Sequence, residues 1–374
     1  MKKKVAFIQP SRSWHVTIGS ILATLQARFP DLDFEVVSVF DLLRSHDLAL
    51  FLNAVMTVRE YGTHIALRRR PFSEYFLRTP YVFDCIKRML ARHLSIADYL
   101  FSFQVFSLFD GSQENLPHFV YTDHTHLANL TYPGFDPTRL FSPRWIEHEK
   151  AIYRHARVNF VASKHVAESL MSQYDCPPHT VALVRYGGNV PLGPAPLENG
   201  AYTNKQIVFV GYDWERKGGP ELVEAFKQVL KAHPDAQLTI VGCTPRVDVP
   251  NCTVVGRVPT ADVDAYYRRA SIFCLPTKLE PSGSVVIEAY QRRLPVVTTN
   301  LGAMPDFVVP GENGYLVSPG SVGELASSLI TLLDNPHQCK AFGESGYHLV
   351  SRLYTWDSVG DAMKRHILEH VDVG

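Results

Sequence analysis

Two carboxylates, a glycine turn and a pair of adjacent cations in the second half of the chain have the types and spacing to handle a phosphorylated ligand. The segment Leu275-Pro276-Thr277-Lys278-Leu279-Glu280-Pro281-Ser282-Gly283-Ser284-Val285-Val286-Ile287-Glu288 follows an apolar run, passes through a Pro/Gly turn and should open a helix near Ser284. The first N–H groups of a helix lack acceptors within it and carry positive partial charge. Amides around Gly283, Ser284 and Val285 could therefore donate hydrogen bonds to a diphosphate, and Gly283, having no Cβ, would let the backbone come close. Glu288 falls one helical turn beyond Ser284 and shares its face, while Glu280 sits in the turn ahead of the helix. A plain capped helix after a strand would leave the same trace.

A second segment, Val210-Gly211-Tyr212-Asp213-Trp214-Glu215-Arg216-Lys217-Gly218-Gly219-Pro220, places two cations between the end of a strand and a helix begun by Pro220. Arg216 or Lys217 at that position could neutralise a departing phosphate. Taken alone, the pair also reads as an ordinary charged surface loop.

The elements that would position these residues follow a regular rhythm. In the second half, apolar runs at 207–211, 238–242, 252–258, 272–276, 295–299 and 314–317 alternate with helical patterns near 220–232, 260–269, 284–292 and 322–333. Continuous apolar strands separated by helices predict a parallel sheet covered on both faces, a Rossmann-like domain. The first half repeats the theme with strands at 5–9, 34–40, 99–103, 119–122, 158–162 and 181–184 and helices at 17–28 and 164–174. The fold class is thus α/β. The expected domains are 1–190, with a helical insertion over 41–93, a Pro- and Gly-containing linker over 191–205, a second domain over 206–355 and a terminal helix over 356–374. Open α/β sheets bind ligands at the carboxyl ends of their strands.

Composition narrows the classes. With 46% hydrophobic and 20% charged residues among 374, the chain is an ordinary globular protein, long enough for two domains. Its net charge of zero argues against nucleic acid as a partner. Residues 1–190 carry 21 Lys and Arg against 17 Asp and Glu, and the remainder 16 against 20. The basic half leaves room for weak association with an anionic membrane surface, as does the cationic, apolar stretch Phe83–Leu94, although such a helix more often packs on its own domain. No signal peptide or membrane-spanning run is read. The six scattered cysteines suit reduced thiols in a cytoplasmic protein, at most peripheral to the inner membrane face.

Together these motifs resemble the retaining glycosyltransferases of family four, with the two-Rossmann "B" fold. The resemblance rests on Glu280 and Glu288 in the Glu-x7-Glu signature, with Ser282 where the family usually has Phe, and on Gly211, Lys217 and Gly218, with Tyr212 in place of the usual Arg. It extends to Val255-Gly256-Arg257-Val258, Thr299–Asp306 and Gly311–Val317, and covers about residues 180–360. The first half matches less: Pro10-Ser11-Arg12-Ser13-Trp14-His15 and a lone Gly19 stand where a Gly-Gly pair is usual. Tyr186-Gly187-Gly188-Asn189 is similar to the segment closing the first domain, and Tyr354-Thr355-Trp356-Asp357 to the element after which the last helix crosses back onto it.

The resemblance implies two Rossmann-like domains facing a central cleft and transfer of a hexose from a UDP- or GDP-linked donor to an unidentified sugar, lipid or protein-glycan acceptor. It gives catalytic roles to Lys217 on the leaving phosphate, to Glu280 on sugar hydroxyls and to His124, after a first-half strand, beside the transferred sugar. Donor contacts fall to Arg216, Lys217, Gly256, Arg257, Val258, Glu280, Ser282, Gly283, Ser284 and Val285, with Glu288 on the ribose. No metal or cofactor is expected. An epimerase of the same fold and a non-catalytic nucleotide-sugar binder are the alternatives. A nicotinamide oxidoreductase would need a Gly-x-Gly-x-x-Gly that neither half has.

Overall fold

Twelve short strands form two separate parallel sheets in a computed structural model that describes residues 3–11, 16–188 and 201–373. The first sheet holds β1 (Lys4–Gln9), β2 (Asp33–Ser38), β3 (Tyr99–Val105), β4 (His118–Thr122), β5 (Val158–Val161) and β6 (Val181–Leu183). Its order is β2-β1-β3-β4-β5-β6, with every pairing parallel. The second holds β7 (Gln206–Val210), β8 (Gln237–Val241), β9 (Cys252–Gly256), β10 (Ile272–Leu275), β11 (Val296–Thr299) and β12 (Gly314–Val317). Its order, β12-β11-β10-β7-β8-β9, is again wholly parallel.

Each order reverses once, between β1 and β3 in the first sheet and between β7 and β10 in the second. At such a switch point, the connections leave on opposite faces and open a crevice at the strands' carboxyl ends. Apolar side chains cover the sheets. Phe7, Phe103 and Phe160 stack in sequence across the first, with ring centroids 6.0 and 5.9 Å apart, and Ile207, Val208 and Phe209 of β7 are wholly buried in the second.

The chain divides into residues 1–185 with 356–374, and residues 186–355. The terminal helix Trp356–Leu368 belongs with the first sheet: it buries Val359, Met363 and Ile367 there. Arg28 clamps its start, reaching Asp357 at 2.8 Å and Asp361 at 2.7 Å. Tyr186–Gly188, read as the close of the first domain, groups instead with the second unit, where the Gly188 amide donates to Tyr354 O at 3.0 Å. Residues 12–15, Asn189 and most of the expected linker lie outside the described residues.

Some elements differ from the sequence reading. The strand expected over 34–40 stops at Ser38. Val39, Phe40 and Leu43 have helical spacing and bury one face of the helix Val39–Arg44. The pattern at 260–269 begins as a 3-10 turn, Thr260–Asp262, before the helix Val263–Arg269. The insertion is helical, with Asp47–Ala66, Phe72–Phe76 and Pro80–His93. Tyr61 and Tyr75 are core, their rings 4.7 Å apart, whereas Phe72 is exposed. The helix Pro80–His93 turns Val82, Phe83, Ile86 and Leu90 into the interior, so its apolar face packs on its own unit rather than lying open to a lipid surface. On the helix Asp47–Ala66, Leu48, Phe51, Val55 and Val58 are exposed apolar side chains. No helix among the described residues is long and apolar enough to cross a membrane.

Packing and charge at the terminal helix should separate cleanly. Met363→Ala, which empties a wholly buried site, is expected to cost about 2–5 kcal/mol of unfolding free energy. Asp361→Ala, at an exposed ion pair, should cost less than about 1 kcal/mol. Urea denaturation monitored by circular dichroism measures both.

Candidate functional site

Two loops meet at the switch point of the second sheet. The loop after β7 carries Lys217 and that after β10 carries Glu280; the two side chains form an ion pair with both partners buried. Opposite charges in so dry a place attract strongly, and removing one strands the other. The loops are also laced by backbone. The Lys278 amide donates to Arg216 O at 2.8 Å, and the Arg216 guanidinium donates to Leu279 O at 2.7 Å. Gly218 stands at φ +76° with its backbone so close to Pro276 that a Cβ would lie 1.8 Å from the Pro276 carbonyl oxygen. Only glycine fits there.

Gly283, at φ +68°, caps the helix Ser284–Gln291 with no side-chain cap. Its own amide donates to Glu280 Oε1 at 3.2 Å. That corrects the expectation for this position: the Gly283 N–H serves Glu280, leaving the amides of Ser284 and Val285 as the helix's free donors toward an anion. Arg216 has partners of its own. It pairs with Asp213 at 3.0 Å as well as with Leu279 O, and so braces the two loops.

Glu288, on the same helix, accepts from the Tyr267 hydroxyl at 3.1 Å, and burial raises its carboxyl above the ordinary range. Tyr267 was not singled out from sequence; its apolar setting in the helix Val263–Arg269 gives no sign that its hydroxyl reaches a carboxylate. Gly256 ends β9 at φ +84° and is buried, Val258 is half-buried and Arg257 is exposed. Ser282 is half-buried in the turn before Gly283. The structure thus brings Lys217, Glu280 and the helix start together, sets Glu288 one turn along and leaves Arg257 at a separate strand end.

In the first unit, the carboxyl ends of β3 and β4 border a cavity of about 380 Å³ lined by His124 and, among others, Arg70, Arg78, His126, Trp145 and Glu149. Both ring nitrogens of His124 are buried without a hydrogen-bond partner, and burial, opposed by Asn129, pushes its pKa down to about 4, so the ring is neutral at physiological pH. His126 is pushed down to about 3 by burial and by Arg70 and Arg78; its Nε2 accepts from the Phe141 amide at 2.9 Å, which puts its proton on Nδ1. Glu149 goes the other way, up to about 7, because burial outweighs the hydrogen bonds from Tyr174, Ser107 and the His126 amide.

The sequence reading overlooked Glu149 and Arg78. Glu149 is on the helix Pro143–His155, whose signals are a Ser142 cap, Pro143 in the first turn, and Trp145, Glu149, Ile152 and Tyr153 on one buried face. The six cysteines are unpaired. Among the described residues, no group of three His, Cys, Asp or Glu side chains could hold a metal ion.

Residues 198–349 match the family model described as "Glycosyl transferases group 1". The match lies within the second unit and covers less than half of the chain. The GDP-mannose-dependent monoacylated alpha-(1-6)-phosphatidylinositol monomannoside mannosyltransferase of Corynebacterium glutamicum is 34% identical over 164 residues, 40% of this chain and 43% of that protein. The chain spans less than half the length of such curated relatives. Sucrose-phosphate synthase from Thermosynechococcus elongatus superposes with a TM-score of 0.69 at 17% identity, covering 98% of each chain. HepE of Anabaena, solved in complex with UDP, gives 0.66 at 14% identity over 98% of this chain and 100% of that one. Identities this low show the fold alone, two Rossmann-like parallel sheets.

Two outcomes follow for the buried charges. Lys217→Met should lower stability by about 3–5 kcal/mol by isolating Glu280, and Lys217→Met with Glu280→Gln should recover part of that loss in urea denaturation. The folded chain keeps a proton on Glu149 where the unfolded chain has released it, so this residue's contribution to stability falls as pH rises from about 4.5 to about 7 and then levels off. The difference in unfolding free energy between Glu149→Gln and the parent should therefore widen by about 3 kcal/mol across that window.

Proposed function

We propose that this chain is a retaining, metal-independent glycosyltransferase that moves a hexose from a UDP- or GDP-linked donor to an acceptor hydroxyl. The observation that carries the proposal is the Lys217–Glu280 pair at the switch point of the second sheet, beside the open amino end of the helix Ser284–Gln291. A mannosyltransferase named as GDP-mannose-dependent and a UDP complex among the similar structures support a nucleoside-diphosphate donor.

In this reading, the diphosphate takes the Ser284 and Val285 amides and the Lys217 ammonium. The bond between the anomeric carbon and the β-phosphate oxygen breaks through an oxocarbenium-like state, and Lys217 offsets the charge growing on that oxygen. The acceptor oxygen bonds to the anomeric carbon on the face that the phosphate leaves, and its proton passes to the leaving phosphate, so configuration is kept without a protein nucleophile. Glu280, released from Lys217 by the phosphate, accepts hydrogen bonds from sugar hydroxyls. Glu288, held by Tyr267, does the same for the ribose. His124 serves the transferred sugar as a neutral hydrogen-bonding ring. Retention of both Lys217 and Glu280 favours an enzyme over a silent binder, and no acid–base set for an epimerase assembles among the described residues.

Glu280→Gln and Lys217→Ala should each lower turnover of radiolabelled donor by roughly 100-fold or more while circular dichroism shows a folded chain. Near-parental turnover in a folded Lys217→Ala rejects the leaving-group role. Full activity in EDTA is expected; loss in EDTA with recovery in magnesium rejects the metal-free mechanism.

A further inference from the structure

Arg78 is a half-buried cation whose Nε is buried, and no acidic side chain among the described residues forms an ion pair with it. Its backbone is pinned: the Tyr61 hydroxyl donates to its carbonyl at 2.6 Å, and Thr79 next to it caps the helix Pro80–His93. Its guanidinium lies 4.6 Å from the centroid of Phe141 and 5.8 Å from that of Trp145, and Nη1 donates to the Glu74 carbonyl at 2.9 Å. Nε is buried with no acceptor. The nearby carboxylates are committed elsewhere: Glu74 pairs with Arg70 at 2.8 Å, and Glu149 is held by Tyr174, Ser107 and the His126 amide.

Buried charges are as a rule paired, and desolvation already lowers the affinity of this guanidinium for its proton. Its aromatic contacts are cation–π interactions that support the charge without neutralising it. The cavity it faces has the volume of a small-molecule site, about 380 Å³, and lies at strand carboxyl ends, where open α/β sheets take ligands. Its other donors point to the same chemistry: Arg70 adds a second guanidinium and His124 a ring with no partner.

We infer that this first-unit cavity binds an oxyanion, a phosphate or carboxylate carried by the acceptor, with Arg78 as its counter-charge and Arg70 and His124 as further donors. A planar guanidinium receives two oxygens of such a group at once, and Trp145 and Phe141 offer apolar surface to the remainder of the molecule. The term acceptor rests on the transferase proposal; the anion site itself does not.

The test is calorimetric titration of the full chain at constant ionic strength, with UDP or GDP saturating so that the diphosphate site is filled. The probes are inorganic phosphate, a hexose 6-phosphate, the free hexose, and vesicles of phosphatidylinositol or of phosphatidylcholine. Phosphate-bearing probes should bind, the free hexose should not at the same concentration, and Arg78→Gln should weaken anion binding ten-fold or more while nucleotide binding is kept. Saturation by soluble hexose phosphate assigns a free sugar phosphate, and binding only to phosphatidylinositol vesicles assigns a lipid headgroup; absence of both overturns the inference. Anion binding unchanged in a nucleotide-competent Arg78→Gln also overturns it. Should that variant not fold, tungstate soaked into parental crystals decides: anomalous density within hydrogen-bonding reach of Arg78 supports the site, and its absence there rejects it. Loss of transfer chemistry with the anion site intact would count against the transferase proposal alone.

Discussion

A lysine and a glutamate buried against each other at the switch point of the second sheet set the constraint that its neighbourhood obeys. Two charges removed from water are tolerated only while they face one another. The loops after β7 and β10 must therefore run close enough for Lys217 to reach Glu280. The surroundings enforce that approach: Gly218 admits the Pro276 carbonyl, Arg216 ties its own loop to Leu279, and the Gly283 amide anchors the second oxygen of Glu280. The same closeness sets the amino end of the helix Ser284–Gln291 beside the ammonium. In the proposed reaction, a diphosphate replaces Glu280 as the partner of Lys217, and the carboxylate passes to the sugar. The ion pair is then the group that senses the donor.

Burial acts differently in the first unit. There it removes charge: His124 and His126 are held neutral, and Glu149 keeps its proton toward neutral pH. A guanidinium has no such escape, because its pKa lies too high for desolvation to strip its proton. Arg78 therefore remains charged among groups that have given up theirs, and that asymmetry gives the cavity its affinity for an anion. The site at the second sheet stores its buried charge as a pair; the first-unit cavity holds a cation without one.

The alternation of β-branched runs with helical patterns was legible because backbone preference and hydrophobic period are local properties. The second unit also announced its site. Glycines at left-handed positions and carboxylates at a fixed offset from a helix start are features of contiguous residues, and Gly283 and Glu288 lie where that spacing puts them. The end of β2 was not legible, because Val39 and Phe40 suit a strand as well as a helix and only the burial of Leu43 on the same face settles the matter. The helix Pro143–His155 had clear signals at Ser142 and Pro143, but its role needed partners on other elements.

From its own order of residues, the chain determined two Rossmann-like sheets, the Gly and Glu turn before the helix at Ser284, and the cations after β7. Tertiary structure alone decided which of those cations is buried with Glu280 and which braces the loops, and that the Gly283 amide serves the carboxylate. It also decided that Arg78, Glu149 and His124, from three separate segments, share one cavity. The reason is physical: local sequence sets backbone conformation, whereas ionisation and pairing depend on how much water remains around a group, and only the packing of distant segments removes that water.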